Sequence, residues 1–310
     1  MWENEKWTLW LPGDGGGLIK MHPVGASNCA YLTRSSLASE EDLYLSFLNF
    51  VCQRLSFPET NSFVHAVEDD FHLLAVHAAK LEHFFLNRER IDSTLVSSFV
   101  RSEVEALLAT ARSVFDLSQE IVARIWNDRI RLNDEEADSN KNRNKLPASF
   151  RKVVLENNRV RTADRISEKY SLSSRMAEVY EKHSNFFCTL RRSRDLIVHG
   201  TKSAGHVFVT ERGFAVRKSE QPFDDFNWQD FHAYNENLVS LKPWLAHVIL
   251  ETIEACSELV ESLQSAAHFG GDLFPGYEVR LRDPANKAIV ELLNAASEDL
   301  SVSKAAAFWA

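Results

Sequence analysis

The sequence predicts a mainly α fold with a small β-hairpin after its central helix and additions at both ends. Three observations carry this. Apolar residues recur at intervals of three and four over long stretches, as in Val100, Val104, Leu107, Leu108, Ala111, Phe115, Val122, Ile125 and Trp126. A second such stripe runs from Leu245 through Ile249, Ile253, Cys256 and Val260 to Leu263. Alternation with a period of two is confined to short runs, and hydrophobic residues make up 45% of the 310 positions, enough for a large core. The pattern divides the chain into an N-terminal extension over 1–60, a helical domain over 61–265 and a C-terminal extension over 266–310.

In the N-terminal extension, Trp7-Thr8-Leu9-Trp10-Leu11-Pro12 alternates and then breaks at Gly13-Asp14-Gly15-Gly16-Gly17, which predicts a short strand and a loop. No Gly-Lys-Ser/Thr follows the glycines, so a phosphate-cradling loop is not expected there. Ser39-Glu40-Glu41-Asp42 resembles a capping box for a helix carrying Leu43, Phe47, Phe50 and Val51. Phe57-Pro58 closes that unit.

A helix over 62–90 carries His65, His72, His77 and His83. At about 1.5 Å of rise per residue, His65 and His72 stand roughly 10 Å apart, too far to share one metal ion, so no metal site is expected. The stripe over 98–132 predicts the longest helix, a spine for the others to pack on. Residues 133–145 have no apolar period and are expected to form a mobile loop. Further helices are expected at 150–157 and 162–170. After Gly200, Val207-Phe208-Val209 and Phe214-Ala215-Val216 predict a hairpin turning at Gly213. A second long helix is expected over 225–264, kinked or divided at Pro243, and a modest one over 286–296.

Charge and cysteine usage narrow the function classes. A net charge of −9 argues against a surface coated for indiscriminate nucleic-acid binding. Yet 141–165 holds eight basic residues, Lys141, Arg143, Lys145, Arg151, Lys152, Arg159, Arg161 and Arg165, against Glu156 and Asp164. That suggests a placed anion site, beside the commoner alternative of a solvated basic face. Four dispersed cysteines disfavour a disulfide framework and a zinc knuckle. The first residues have no basic start followed by an apolar run, and no apolar stretch approaches the roughly 20 residues of a membrane span, so a cytoplasmic protein without membrane contact is expected.

The chemistry concentrates in Arg191-Arg192-Ser193-Arg194-Asp195-Leu196-Ile197-Val198-His199-Gly200. Met176, Tyr180, His183, Phe187, Leu190, Arg194 and Ile197 form one row at helical spacing, which puts Arg194 on the packed face, where a guanidinium needs a counter-charge or a ligand. A phosphate suits its planar donor fork. Asp195 and His199 stand four apart, so the carboxylate can fix the imidazole tautomer, and the helix end before Gly200 favours the imidazolium. An Arg-to-His spacing of five is common in a chain with eleven histidines, so the register matters more than the spacing.

Arg194-Asp195, three apolar residues and His199 resemble the R-polar-x-x-x-H motif of the HEPN superfamily, compact helical domains many of which are ribonucleases. The resemblance covers roughly 63–264. It implies an antiparallel helical bundle and a metal-independent, cofactor-free endoribonuclease whose homodimer builds a composite groove from two motifs. Arg194 would polarise the scissile phosphate, His199 would act as general acid or base, and Asp195 would orient it. The RNA 2′-hydroxyl would attack, leaving a 2′,3′-cyclic phosphate. Arg191, Arg192, Lys145, Arg151 and Lys152 would hold neighbouring phosphates. Many relatives are toxins or defence effectors, which implies an inhibitory or antitoxin partner. The alternative is a non-catalytic HEPN-like dimeric module that binds RNA or a protein. A histidine-based metalloenzyme on the 63–90 helix ranks below both.

Overall fold

The computed structural model of the chain describes residues 2–3, 6–12, 16–21, 29–54, 60–128, 130–141, 144–198 and 205–300. In chain order the N-terminal strands are β1 (Trp2–Glu3), β2 (Lys6–Trp7), β3 (Leu9–Pro12), β4 (Leu18–Met21), β5 (Cys29–Thr33) and β6 (Leu43–Tyr44). There follow α1 (Ser46–Arg54), α2 (Asn61–Leu86), α3 (Ser93–Asp128), α4 (Glu135–Asn140) and α5 (Phe150–Val154). Next come β7 (Leu155–Glu156), β8 (Arg159–Val160), α6 (Ala163–Tyr170) and α7 (Ser174–Val198). The chain continues through β9 (Val207–Val209), β10 (Phe214–Arg217), β11 (Leu238–Ser240), α8 (Leu241–Ala266), β12 (Glu278–Arg282) and α9 (Asn286–Leu300). The architecture is mainly α, as its apolar periodicity predicts.

The spine is α3, longer at its start than its stripe suggests because Asp92 caps it, accepting from the amides of Thr94 at 2.9 Å and Leu95 at 3.3 Å. Val100, Val104, Leu107 and Ile125 are wholly buried, and α2, α7 and α8 all pack along this helix. Hydrogen bonds cross the packed faces where polar residues interrupt them. The Tyr180 hydroxyl on α7 donates to Gln119 on α3 at 2.7 Å, and Ser118 on α3 meets Cys256 on α8 at 3.3 Å.

Four expected elements come out differently. The loop over 133–145 contains α4, because Asp134 accepts from the amides of Glu136 and Ala137 and acids fill the first turn. The helix expected at 150–157 stops at Val154, and Asn157 and Asn158, both at positive φ, turn the chain into the β7–β8 hairpin. The helix expected from 225 begins at Leu241. Pro243 therefore lies in the first turn of α8, where its missing N–H costs nothing, rather than kinking the middle. The Ser39–Asp42 stretch makes a turn instead of a helix start, with the Asp42 amide bonded to the Ser39 carbonyl, and α1 begins only at Ser46.

The N- and C-terminal extensions are knit together. β12, which no alternation in the sequence singles out, pairs antiparallel with β5 on one side and β6 on the other. Gln53 at the end of α1 donates to the Tyr277 carbonyl at 2.7 Å and accepts from the Phe274 amide at 3.0 Å. Asp42, 2% exposed, holds the sheet by accepting from Arg282 Nε at 3.0 Å and Nη2 at 2.9 Å, from the Tyr31 hydroxyl and from the Ser39 amide. The expected hairpin forms as β9–β10, with Gly213 at positive φ in its turn, and gains β11 as a third strand.

Candidate functional site

The helix that carries the motif, α7, is set up by its neighbours. Ser171, in the left-handed conformation, ends α6, and the Ser173 hydroxyl accepts from the Met176 amide at 3.3 Å to start α7. Glu181 on α7 reaches back to accept from the first amide of α6, Ala163, at 2.7 Å. The row Met176, Tyr180, His183, Phe187 and Leu190 is buried, as its spacing predicts. Its ring cluster is continuous with α5: Phe150 lies 5.4 Å from Tyr180 and 4.8 Å from Phe187, centroid to centroid.

The backbone of α7 stays helical through Val198. In its last turns Arg191 Nε lies 3.6 Å from the Asp195 carboxylate, and Arg192 pairs with Asp225 from the segment before β11. Asp195 is thus engaged four residues back along the helix, by a residue expected to hold phosphate. The Arg194 side chain and all of His199 lie outside the described residues, and so does the Asp195–His199 pairing.

The other expected phosphate contacts stand apart from this end. Lys145 is exposed on a loop tied to α3, where Gln119 donates to the Pro147 carbonyl at 2.7 Å and Asn127 exchanges two 2.9 Å bonds with Leu146. Arg151 and Lys152 are exposed on α5. Since α5 rests on α7 between Tyr180 and Phe187, about 15 Å of helical rise separates it from Arg194. One phosphate cannot touch both groups; a strand several nucleotides long can. Part of the basic segment is structural. Lys141 is buried on Asp138 and the Ile130 carbonyl, and Arg161 is buried with its guanidinium on the Lys152 and Val153 carbonyls.

Sequence reasoning missed a cleft of about 740 Å³ between α7, α8 and the turn at 222–226. Its walls include Lys182, Phe186 and Arg192 of α7, Phe226 of the turn, and His247 and Glu251 of α8. His247 lies 5.8 Å from Phe186 and 5.2 Å from Phe226, ring to ring. Burial pushes this imidazole below the ordinary histidine range despite the opposing pull of Glu251, which favours its neutral form.

Behind the wall, buried His183 lies between two carboxylates, 2.9 Å from Glu258 and 3.8 Å from Glu251. The His183 contact holds Glu251 below the ordinary carboxylate range. Burial raises Glu258, but hydrogen bonds from Lys182 and His183 outweigh it and leave that group low too. The available signals were Asn185 and Arg192, seven apart on α7, and His247 and Glu251, four apart on a polar row of α8 that continues through Glu254 and Glu258.

The histidines of α2 are each engaged separately. His65 meets Glu68 at 3.3 Å, His72 meets Asp283 at 3.0 Å, His77 meets Glu103 at 2.7 Å and His83 meets Asn87 at 3.4 Å. Among the described residues no three metal-binding side chains converge, and no helix is long and apolar enough to cross a membrane. No family model, curated protein or solved structure matches the chain.

Proposed function

We propose that the chain is a metal-independent endoribonuclease of HEPN type, acting as a homodimer on RNA. The observation that carries the reading is the single helix α7, in which Arg191, Arg192, Arg194 and Asp195 share the last two turns beside a solvent-open cleft. Three arginines there supply anion recognition without a cation cofactor. In the proposed reaction Arg194 polarises the scissile phosphate while His199 takes the proton of the attacking 2′-hydroxyl or returns one to the leaving 5′-oxygen. A 2′,3′-cyclic phosphate and a 5′-hydroxyl result. Lys145, Arg151 and Lys152 meet phosphates several nucleotides away. The toxin or defence role, with an inhibitory partner, belongs to the same proposal.

One observation favours a second reading, a non-catalytic dimeric module that binds RNA or a protein. Arg191 and Arg192 are both in ion pairs, with Asp195 and Asp225, so part of the motif's charge is spent within the chain. Purified protein incubated with single-stranded and transfer RNA in EDTA separates the two, beside Arg194→Ala and His199→Ala. Cleavage that survives EDTA and vanishes in both variants is expected. Intact RNA from a normally dimeric protein would overturn the nuclease.

A further inference from the structure

The proposed chemistry uses the cleft between α7 and α8 only as the open space beside the motif, yet its wall is composed for a ligand. Phe186 and Phe226 line the cleft and are only partly buried, Phe226 also meeting Trp228 edge-on at 4.6 Å and stacking with His232 at 6.1 Å. The charges on its wall balance: Lys182 and Arg192 stand against Asp225 and Glu251. A cleft with that balance does not select for a phosphate in its interior. Lys182 is bound to Glu258, and Arg192 to Asp225 at the end nearest the motif. Glu251 is different. Its contact with His183, at 3.8 Å, engages Oε2, and a carboxylate has a second oxygen to offer the cleft that the residue lines. Aromatic faces, a neutral imidazole and one carboxylate acceptor suit a flat heteroaromatic ring with an amine on its edge. The volume lies within the usual range for small-ligand sites, roughly 300–1,000 Å³.

We infer that this cleft is a nucleobase subsite, taking a base with an exocyclic amine against Phe186 and Phe226 with the amine donated to Glu251. Carboxylates read cytosine's amino group in this way in other settings, and base stacking on aromatic side chains tolerates any base, so Glu251 supplies the choice. As a substrate subsite the inference rests on the ribonuclease reading; as a base-binding cleft it stands on the cleft's own geometry. The base of a nucleotide held here leaves its phosphate at the Arg192 end, two residues before Arg194.

The test uses the full chain and two probes that differ mainly at one edge of the base, cytidine 5′-monophosphate and uridine 5′-monophosphate, titrated calorimetrically. CMP is expected to bind about tenfold more tightly than UMP, the worth of one charge-assisted hydrogen bond. Glu251→Gln, whose amide can also donate, is expected to erase most of that ratio. Phe226→Leu, which keeps apolar bulk and loses the ring, is expected to weaken both probes about tenfold. Melting temperatures near that of the parent protein establish that both variants are folded, and the parent's own CMP-to-UMP ratio decides the matter if they are not. Equal affinities for the two probes, or no binding of either at millimolar concentration, would overturn the subsite. Selection of CMP without RNA cleavage sinks the nuclease and leaves the base-binding cleft. Cleavage without selection does the reverse.

Discussion

Phe150→Ala tests whether α5, with its two exposed basic residues, is held to the motif helix by one ring. Phe150 is fully buried, with ring partners Phe115 at 5.0 Å, Phe187 at 4.8 Å and Tyr180 at 5.4 Å. Burying about 200 Å² at about 25 cal/mol per Å² sets an upper figure near 5 kcal/mol. Measured phenylalanine truncations in cores fall at about 3–5 kcal/mol once partial collapse is included. A helix of five residues has no stability of its own, so its order comes from tertiary contacts, this ring packing together with the Arg161 hydrogen bonds to the Lys152 and Val153 carbonyls. We expect a loss of about 3–4 kcal/mol in urea denaturation, and faster amide exchange over 150–154. Phe150→Leu, which keeps most of the volume, should lose about 1.5 kcal/mol or less. An alanine variant that loses under about 1.5 kcal/mol would refute the anchoring role.

Three further outcomes follow from the polar contacts. Asp42→Asn should destabilise by about 2–3 kcal/mol in the same denaturation assay, below the usual cost of breaking a buried pair because the Arg282 side chain is 47% exposed and can turn to water; a loss under about 1 kcal/mol would show that the β5–β12–β6 sheet does not depend on it. The low Glu251 and Glu258 pKa values mean that the unfolded chain binds more protons near pH 4, so their stabilisation is present above about pH 4.3 and lost as pH falls through the folded values; Glu258→Gln should flatten that acid limb. His72 has the opposite sign. Asp283 raises it, so its contribution is complete below about pH 6.5 and lost as pH rises through the folded value, and His72→Gln should remove that decline from a stability-against-pH curve.

What was legible in the sequence was what one element settles by itself. The stripe from Val100 to Trp126 needed only the helical period, and α3 follows from it. Elements that depend on a distant partner were not legible. β12 alternates Val279 and Leu281 with charged residues over five positions, too short a run to stand out, and becomes a strand because β5 and β6 supply both edges. Pro243 was misread for a related reason. The apolar residues Phe223, Phe226 and Trp228 precede it at spacings that can be taken for a helix, yet they pack as a turn, with the Trp228 indole donating to the Phe223 carbonyl at 3.0 Å. The cleft was illegible because its walls come from stretches some 30 and 60 residues apart.

The motif shows a subtler limit. Asp195 has a potential partner one turn back, Arg191, and another one turn on, His199, and helical spacing treats them alike. Sequence reasoning took the second; the described structure holds the first. The energies decide how much that matters. The Arg191 contact is 3.6 Å long and the Asp195 side chain is 45% exposed, so the pair is worth no more than about 0.5 kcal/mol. Arg192 and Asp225 are likewise about half exposed. A phosphodiester reaching either arginine would form a contact screened to a similar degree, of the same order as what the internal pair gives up. On the proposed reading an anion displaces these weak ion pairs rather than being barred by them. They set the arginines at the end of α7 without removing them from use, and the second reading gains little from their presence. The weight of the decision passes to Arg194 and His199, the two positions whose replacement separates cleavage from binding.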